Sequence, residues 1–269
     1  MTGRVTVGVS LKMYFGHREA RAWFARVAEL AARHPAVSSG SVEFFVIPTY
    51  LQIARAVEAF QGTPTIIGAQ DAATEDSGAF TGEVSAAELA EVGVGVVEIG
   101  HAERRRLFGD TDAVVRAKTH AALRNGLRPV LCVGETERSE PPLAAARTVA
   151  QLVDALEGAP AGPLIVAYEP VWAIGAPEPA PVAHIRTVTL ALRDAVTDRP
   201  GTSVIYGGSA GPGLLSALGD AVDGLFLGRF AHDPVALEAV LDEAAVLAIE
   251  RTEGLDRLDG LDGLEGLEA

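Results

Sequence analysis

Leu164-Ile165-Val166-Ala167-Tyr168-Glu169-Pro170 is an apolar run that ends on a carboxylate and is closed by a proline. A short run that is apolar on every residue reads as a strand covered on both faces, as in a parallel sheet. The same form recurs along the chain. Strands are predicted at Val5–Ser10, Val42–Ile47, Thr65–Gly68, Val96–Ile99, Pro129–Val133, Leu164–Tyr168, Val204–Tyr206 and Gly224–Leu227. Amphipathic stretches separate them. Trp23, Val27, Leu30 and Ala31 share one helical face, as do Val235, Val240, Leu241, Ala244 and Leu247. Asp233-Pro234 reads as an N-cap and first helical position. About eight βα units in roughly 250 residues match the arithmetic of a closed α/β fold, a single (β/α)8 barrel over residues 1–250. Periodicity alone leaves a doubly wound open sheet as the alternative.

Composition narrows the function classes. Hydrophobic side chains make up 48% of 269 residues, enough for a large buried core. No apolar run reaches the ~20 residues of a membrane span, so no membrane partner is expected. Met1 to Gly8 lack the apolar stretch of a signal peptide, and the lone Cys132 excludes an internal disulfide. A cytoplasmic location is the expectation. A net charge of −14 disfavours nucleic acid and repels anionic substrates at long range. A phosphate-handling site would therefore need its own local positive potential. Only two of the 22 basic residues are lysines, Lys12 and Lys118. From residue 251 the pattern changes. Leucines recur at every third position from Leu255 to Leu267, with glycines at 254, 260, 263 and 266. Residues 251–269 read as an acidic, flexible tail, because glycine disfavours a stable helix.

In a barrel, reactive side chains sit at the C-terminal ends of the strands. The first strand ends in Ser10-Leu11-Lys12, the fourth in Glu98-Ile99-Gly100-His101 and the sixth in Tyr168-Glu169-Pro170. The seventh ends in Tyr206-Gly207-Gly208-Ser209 and the eighth in Leu227-Gly228-Arg229. Singly, each has a plain reading: a solvated loop acid, an incidental histidine, a surface lysine, a turn. Jointly they bring a lysine, a histidine, a carboxylate and two glycine turns to one mouth, the equipment of an aldose–ketose isomerisation. No cofactor motif and no metal-ligand spacing accompanies them, so neither a cofactor nor a metal is expected. Cys132, inside an apolar strand, reads as a core thiol.

His101-Ala102-Glu103-Arg104-Arg105 and Ala167-Tyr168-Glu169-Pro170-Val171-Trp172-Ala173-Ile174-Gly175 resemble the histidine segment and the base-plus-lid segment of the triosephosphate isomerase family. Tyr206-Gly207-Gly208-Ser209, Cys132-Val133-Gly134-Glu135 and Gly78-Ala79-Phe80-Thr81-Gly82-Glu83 resemble its phosphate turn, its fifth-strand end and its dimer loop. The matches run in order from about residue 5 to residue 240. The resemblance implies a TIM barrel and a proton shuttle on a small phosphorylated sugar. Glu169 would be the base, His101 a neutral electrophile, Lys12 the cation, and Glu103 would order the site. Backbone groups of Gly175, Ser209 and Gly228 would hold phosphate. Phe80 and Thr81 would join a homodimer, and an apolar Phe between glycines in a ~13-residue loop fits an inserted finger. Interconversion of dihydroxyacetone phosphate and D-glyceraldehyde 3-phosphate, with a place in glycolysis and gluconeogenesis, is the implied activity.

Three departures open an alternative. The family's Asn-Trp-Lys is Ser10-Leu11-Lys12, the lid continues Ala176-Pro177-Glu178-Pro179-Ala180, and the eighth strand ends Gly228-Arg229 where the family has Gly-Gly. Ser10 and Leu11 would enlarge the pocket and Arg229 would add a cation at the phosphate. Those changes suit a four-carbon substrate, L-erythrulose 1-phosphate isomerised to D-erythrulose 4-phosphate. Pro177, Pro179 and Pro181 would stiffen the lid exit. A non-catalytic sugar-phosphate-binding barrel is a reading of another class, which the intact Lys12, His101 and Glu169 oppose.

Overall fold

The computed structural model describes residues 3–265, with side chains described as far as Gly254. Its elements follow in the order β1 Val5–Ser10, α1 His17–Arg33, α2 Pro35–Ser38, β2 Val42–Ile47, α3 Ile53–Ala59, β3 Ile66–Ala69, α4 Ala86–Glu91, β4 Val96–Ile99, α5 Ala102–Phe108 and α6 Asp112–Arg124. The second half continues with β5 Arg128–Val133, α7 Pro141–Leu156, β6 Ile165–Tyr168, α8 Val182–Asp194, β7 Ser203–Tyr206, α9 Leu214–Leu218, β8 Gly224–Leu227 and α10 Pro234–Glu265. The eight strands pair in parallel and in sequence order, and β8 pairs back onto β1, with Thr6 opposite Gly224 and Val9 opposite Leu227. This closed (β/α)8 barrel replaces the open-sheet alternative. Strand bounds differ from the sequence reading by at most one residue at each end.

Strand periodicity divides the core into two layers, because successive side chains point to opposite faces. Val5, Val7, Val9 and Leu11 face outward, into the large apolar layer beneath the helices. The interior is packed by Phe45, Ile47, Val96, Val130, Cys132, Ile165, Ala167, Ile205 and Phe226. The inward parity leads to Ser10 after Thr6 and Gly8 within β1, to Glu98 after Val96 within β4, and, one residue past β6, to Glu169 after Ala167. The barrel wall thus aims polar residues at its own mouth. Helices seal the outside: Trp23 on α1 is buried and its indole donates to Ala231 O at 2.9 Å, tying the first helix to the connection between β8 and α10.

One expectation is corrected here. Val235 is 73% exposed, and Leu237 takes the buried place on α10 with Val240, Leu241, Ala244 and Leu247. At ~100° per residue, Val235 lies about 200° around the helix from Leu237 and faces solvent. The stretch expected as a tail from residue 251 starts within α10. Arg251 donates to Val222 O beneath the barrel, and α10 runs on to Glu265. Extending an established helix avoids the nucleation penalty, so scattered glycines, each ~1 kcal/mol worse than alanine, do not stop it. Residues 266–269 of that expected tail lie outside the described residues. Among the described residues no helix is long and apolar enough to cross a membrane.

Candidate active site

The C-terminal mouth of the barrel opens into a cavity of about 980 Å³ lined by Ser10, Lys12, His101, Glu103, Cys132, Glu169, Gly175, Ser209, Gly228 and Arg229, among others. Every catalytic and substrate-binding residue expected from the sequence is therefore in one place. Leu11 is not: it is fully buried among the outward-facing core residues and does not line the cavity. Of the two, Ser10, on the inward parity, lines it.

Lys12 follows β1 with φ +48°, the one non-glycine residue with positive φ among the described residues. A residue held there is strained, and such strain gathers at functional sites. Gln70, at the end of β3, holds the strained backbone by donating from Nε2 to Lys12 O at 2.9 Å. Lys12 Nζ donates to Glu103 Oε1 at 3.1 Å and lies 3.0 Å from His101 Nε2. Burial opposes its charge and is the largest single influence. The Glu169, Glu98 and Glu103 carboxylates together outweigh it and raise the lysine above its ordinary value, so the site keeps a fixed cation.

His101 is the N-cap of α5, and its Nδ1 accepts the Glu103 N–H at 3.1 Å. With Nδ1 committed as acceptor, a neutral ring carries its proton on Nε2, the nitrogen that faces Lys12 and Glu169. Glu169 Oε2 is 3.7 Å from His101 Nε2. The Glu169 carboxyl is 8% exposed, and its Oε2 is buried without a hydrogen-bond partner among the described residues. A buried acceptor left unsatisfied is disfavoured by ~1–3 kcal/mol, and the cavity that Glu169 lines is open to a group that could satisfy it. Room for Glu169 comes from two glycines, Gly207 beside its side chain and Gly134 beside its backbone. A Cβ on Gly207 would stand 2.7 Å from Glu169 Oε1, and one on Gly134 only 2.1 Å from Glu169 O. Gly134 and Gly207 flank Glu169 because β5 and β7 flank β6 in register.

At the opposite rim, the N–H groups of Gly175, Ser209 and Gly228 donate to no acceptor among the described residues. Arg229 is exposed beside them, without a hydrogen bond or ion pair among the described residues. Uncommitted backbone donors beside a guanidinium form an anion cradle. Residues 170–181, which roof the cavity, are fastened from this side: the Ser209 hydroxyl donates to Ala176 O, and Ala180 N–H donates to the Tyr206 hydroxyl at 3.0 Å. Burial holds the Tyr206 phenol up at about 12, so it stays neutral.

The sequence reading gave Glu98 no role. Its buried carboxyl accepts the Ser10 hydroxyl at 2.8 Å, so Ser10 joins the wall to the cavity floor. Burial pushes the Glu98 carboxyl up and the Glu169 charge adds to this, while His101, Lys12 and the Ser10 hydroxyl pull the other way. The native state then binds more protons than the unfolded state between the ordinary carboxylate range and the raised value. Stability therefore falls as pH rises through that window. Glu98→Gln is expected to remove this slope, making the protein more resistant to urea than the parent at neutral pH and no different below the ordinary carboxylate range. Paired urea titrations across that range check it; an unchanged slope would reject the charge-burial account. Cys132 is both core and floor: it packs in the barrel interior and lines the cavity, and burial, then Glu169 and Glu98, hold its thiol protonated.

The family model for triosephosphate isomerase matches residues 5–244. The chain belongs to the triosephosphate isomerase family. It is an isomerase. Among its relatives, an L-erythrulose-1-phosphate isomerase of Pectobacterium atrosepticum is 52% identical over 252 residues, covering 91% of this chain and 97% of the relative. A second protein of that name, from Rhizobium etli, is 39% identical over 92% of this chain and 95% of its own. A triosephosphate isomerase of Moorella thermoacetica is 38% identical over 77% of this chain and 88% of its own. Besides Glu98, the sequence reading left Gln70 without a role and quoted Glu135 only as part of a motif. Strand parity inside β4 is the signal that could have found Glu98; Gln70 lies beyond β3 with no local pattern to mark it.

Proposed function

We propose that this family member isomerises a four-carbon ketose phosphate, L-erythrulose 1-phosphate to D-erythrulose 4-phosphate. The observation that carries the reading is the 52% identity to the Pectobacterium atrosepticum protein of that name, along nearly the whole of both chains. The cavity is consistent with it, since Ser10 is the small residue on its floor beside Lys12. The reaction needs only groups already described. Glu169 takes the proton from C3, the electron pair moves into the C2 carbonyl, and His101 Nε2–H and the Lys12 ammonium stabilise the enediolate oxygens. Glu169 then returns the proton to C2 while the O3 hydroxyl proton passes to O2 by way of His101 Nε2, leaving the ketone at C3 and a hydroxyl at C2. Gly175, Ser209 and Gly228 hold the phosphate through backbone N–H groups, with Arg229 beside them. Water exclusion by the roofing segment protects the enediolate. Glu103 orders the site through Lys12, to which it is bonded.

Conversion of dihydroxyacetone phosphate to D-glyceraldehyde 3-phosphate is the second reading, favoured by the intact Lys12, His101 and Glu169, which act on the part common to both substrates. This reverses the order of the two readings drawn from the sequence, and the place in glycolysis and gluconeogenesis goes with the triose reading alone. Specificity constants for both substrates decide between them. The tetrulose phosphate is expected to be preferred. Ser10→Asn is expected to move the ratio about 10-fold or more toward the triose, since one methylene's worth of room discriminates by ~1–3 kcal/mol. Arg229→Gly is expected to weaken both alike. A higher constant for the triose in the parent, unmoved in Ser10→Asn, would reject the four-carbon reading.

The homodimer is part of the same proposal. Phe80 is 49% exposed at the tip of the loop that leads to α4, with Thr81 exposed beside it. Burying a ring of that size in a partner supplies ~1.5–3 kcal/mol. Sedimentation should find a dimer at micromolar concentration; a fully active monomer there would rule the loop out as an interface.

A further inference from the structure

The segment from Pro170 to Pro181 roofs the cavity: Val171, Ile174 and Gly175 line it, and α8 begins at Val182. Beneath the roof lies Glu135, 2% exposed, at the end of β5. Its carboxylate accepts the Trp172 indole N–H at 2.8 Å and the Tyr168 hydroxyl at 3.2 Å from each oxygen. His184 Nε2 lies 3.0 Å from Glu135 Oε1 and 3.0 Å from the Tyr168 hydroxyl. A carboxylate only accepts, so this nitrogen is the donor. The Glu135 backbone takes part as well, accepting the Val171 N–H at 3.0 Å.

These partners come from both ends of the roof. Trp172 lies in the short turn Val171–Ala173 where the segment leaves β6. His184 stands on the first turn of α8, where the segment ends. The His184 ring is buried, 5.5 Å from the Trp172 ring at an interplanar angle of 88° and 6.5 Å from Tyr168 at 19°. One buried carboxylate therefore joins the entry of the roof to its exit, and among the described residues only the histidine reaches it from the exit side.

We propose that His184 is a positioning residue for the isomerase: by holding the Glu135 carboxylate it makes the Trp172 turn and the start of α8 move as one, and so sets how tightly residues 170–181 close over the enediolate. The inference rests on the isomerase assignment and not on the length of the sugar. A loosely covered enediolate has a second outlet. Its electron pair forms a carbon–carbon double bond to the neighbouring carbon, the C–O bond to phosphate breaks, and inorganic phosphate departs with that bonding pair. Phosphate release per isomerisation thus measures closure directly, whereas general destabilisation lowers both products together.

The test compares parent, His184→Leu and His184→Gln on whichever of the two sugar phosphates the parent turns over. His184→Leu is expected to raise KM, lower kcat/KM about 10-fold and release several times more phosphate per turnover, within the range for losing a hydrogen bond to a charged group. His184→Gln, whose amide N–H can still reach Glu135, should restore most of the loss. Should His184→Leu fail to fold, His184→Phe, which keeps a ring and lacks the donor, makes the same comparison. Parent-like kinetics and phosphate release in the variant that lacks the donor would overturn the inference. So would equal damage in His184→Gln. The parent's turnover tests the substrate reading; the ratio among the variants tests His184.

Discussion

Glu169→Gln is expected to keep sugar-phosphate binding while turnover falls by at least ~10³-fold, within the range for removing a positioned general base. Glutamine has nearly the same shape, so Gly134 and Gly207 still accommodate it and the cavity keeps its form. An amide, however, cannot take a proton from carbon. No neighbour can replace the carboxylate: the Cys132 thiol is held protonated by burial, and Glu98 is already engaged with Ser10 inside the wall. Steady-state kinetics give the loss in kcat, and calorimetric titration with a phosphonate analogue of the substrate gives the binding. Parent-like turnover would show that the proton moves by another route.

A second large effect is expected from one methyl group. Gly207→Ala should lower kcat on the order of 10²-fold with little loss of thermal stability. The added Cβ would fall 2.6 Å from Glu169 Cγ and 2.7 Å from Oε1, atoms at the movable end of a side chain. The carboxylate would give way, and a displacement near 1 Å at a reacting group is worth ~10²-fold. Gly134→Ala makes the contrast. Its Cβ would meet Glu169 O at 2.1 Å and Glu169 C at 2.5 Å, both backbone, so folding should suffer together with activity. Kinetics and melting curves of the two variants separate the effects. Parental kcat in Gly207→Ala would mean that the position of the carboxylate is not what limits turnover.

The barrel and its reactive end were legible because both follow from local rules. Runs such as Leu164–Tyr168 are apolar throughout since helices cover one face and the packed interior covers the other. The chain turns at each C-terminal strand end, so the residues that close the strands gather at one mouth. Lys12, His101 and Glu169 could be named from that rule, and the family resemblance gave them roles. Phe80 and the glycine turns were legible as features. Leu11 and Val235 were misjudged for a shared reason: the sequence reading named a neighbourhood and ignored which way a side chain points within it. Parity sends Leu11 out to the helices while Ser10 faces the cavity, and helical rotation turns Val235 to solvent.

Sequence by itself determined the repeating βα unit, the eight strands, and the identity of the residues that end them, because hydrophobic period and turn chemistry act over a few residues. Tertiary structure decided the rest. Barrel closure pairs β8 with β1 and brings Lys12 within 3.0 Å of His101, which lies 89 residues further along the chain. It backs Glu169 with glycines from two other strands, and it folds His184 and Trp172 onto Glu135. Each of these contacts joins residues from different βα units. Their geometry follows from strand register and the curvature of a closed sheet, quantities that no local stretch of sequence contains.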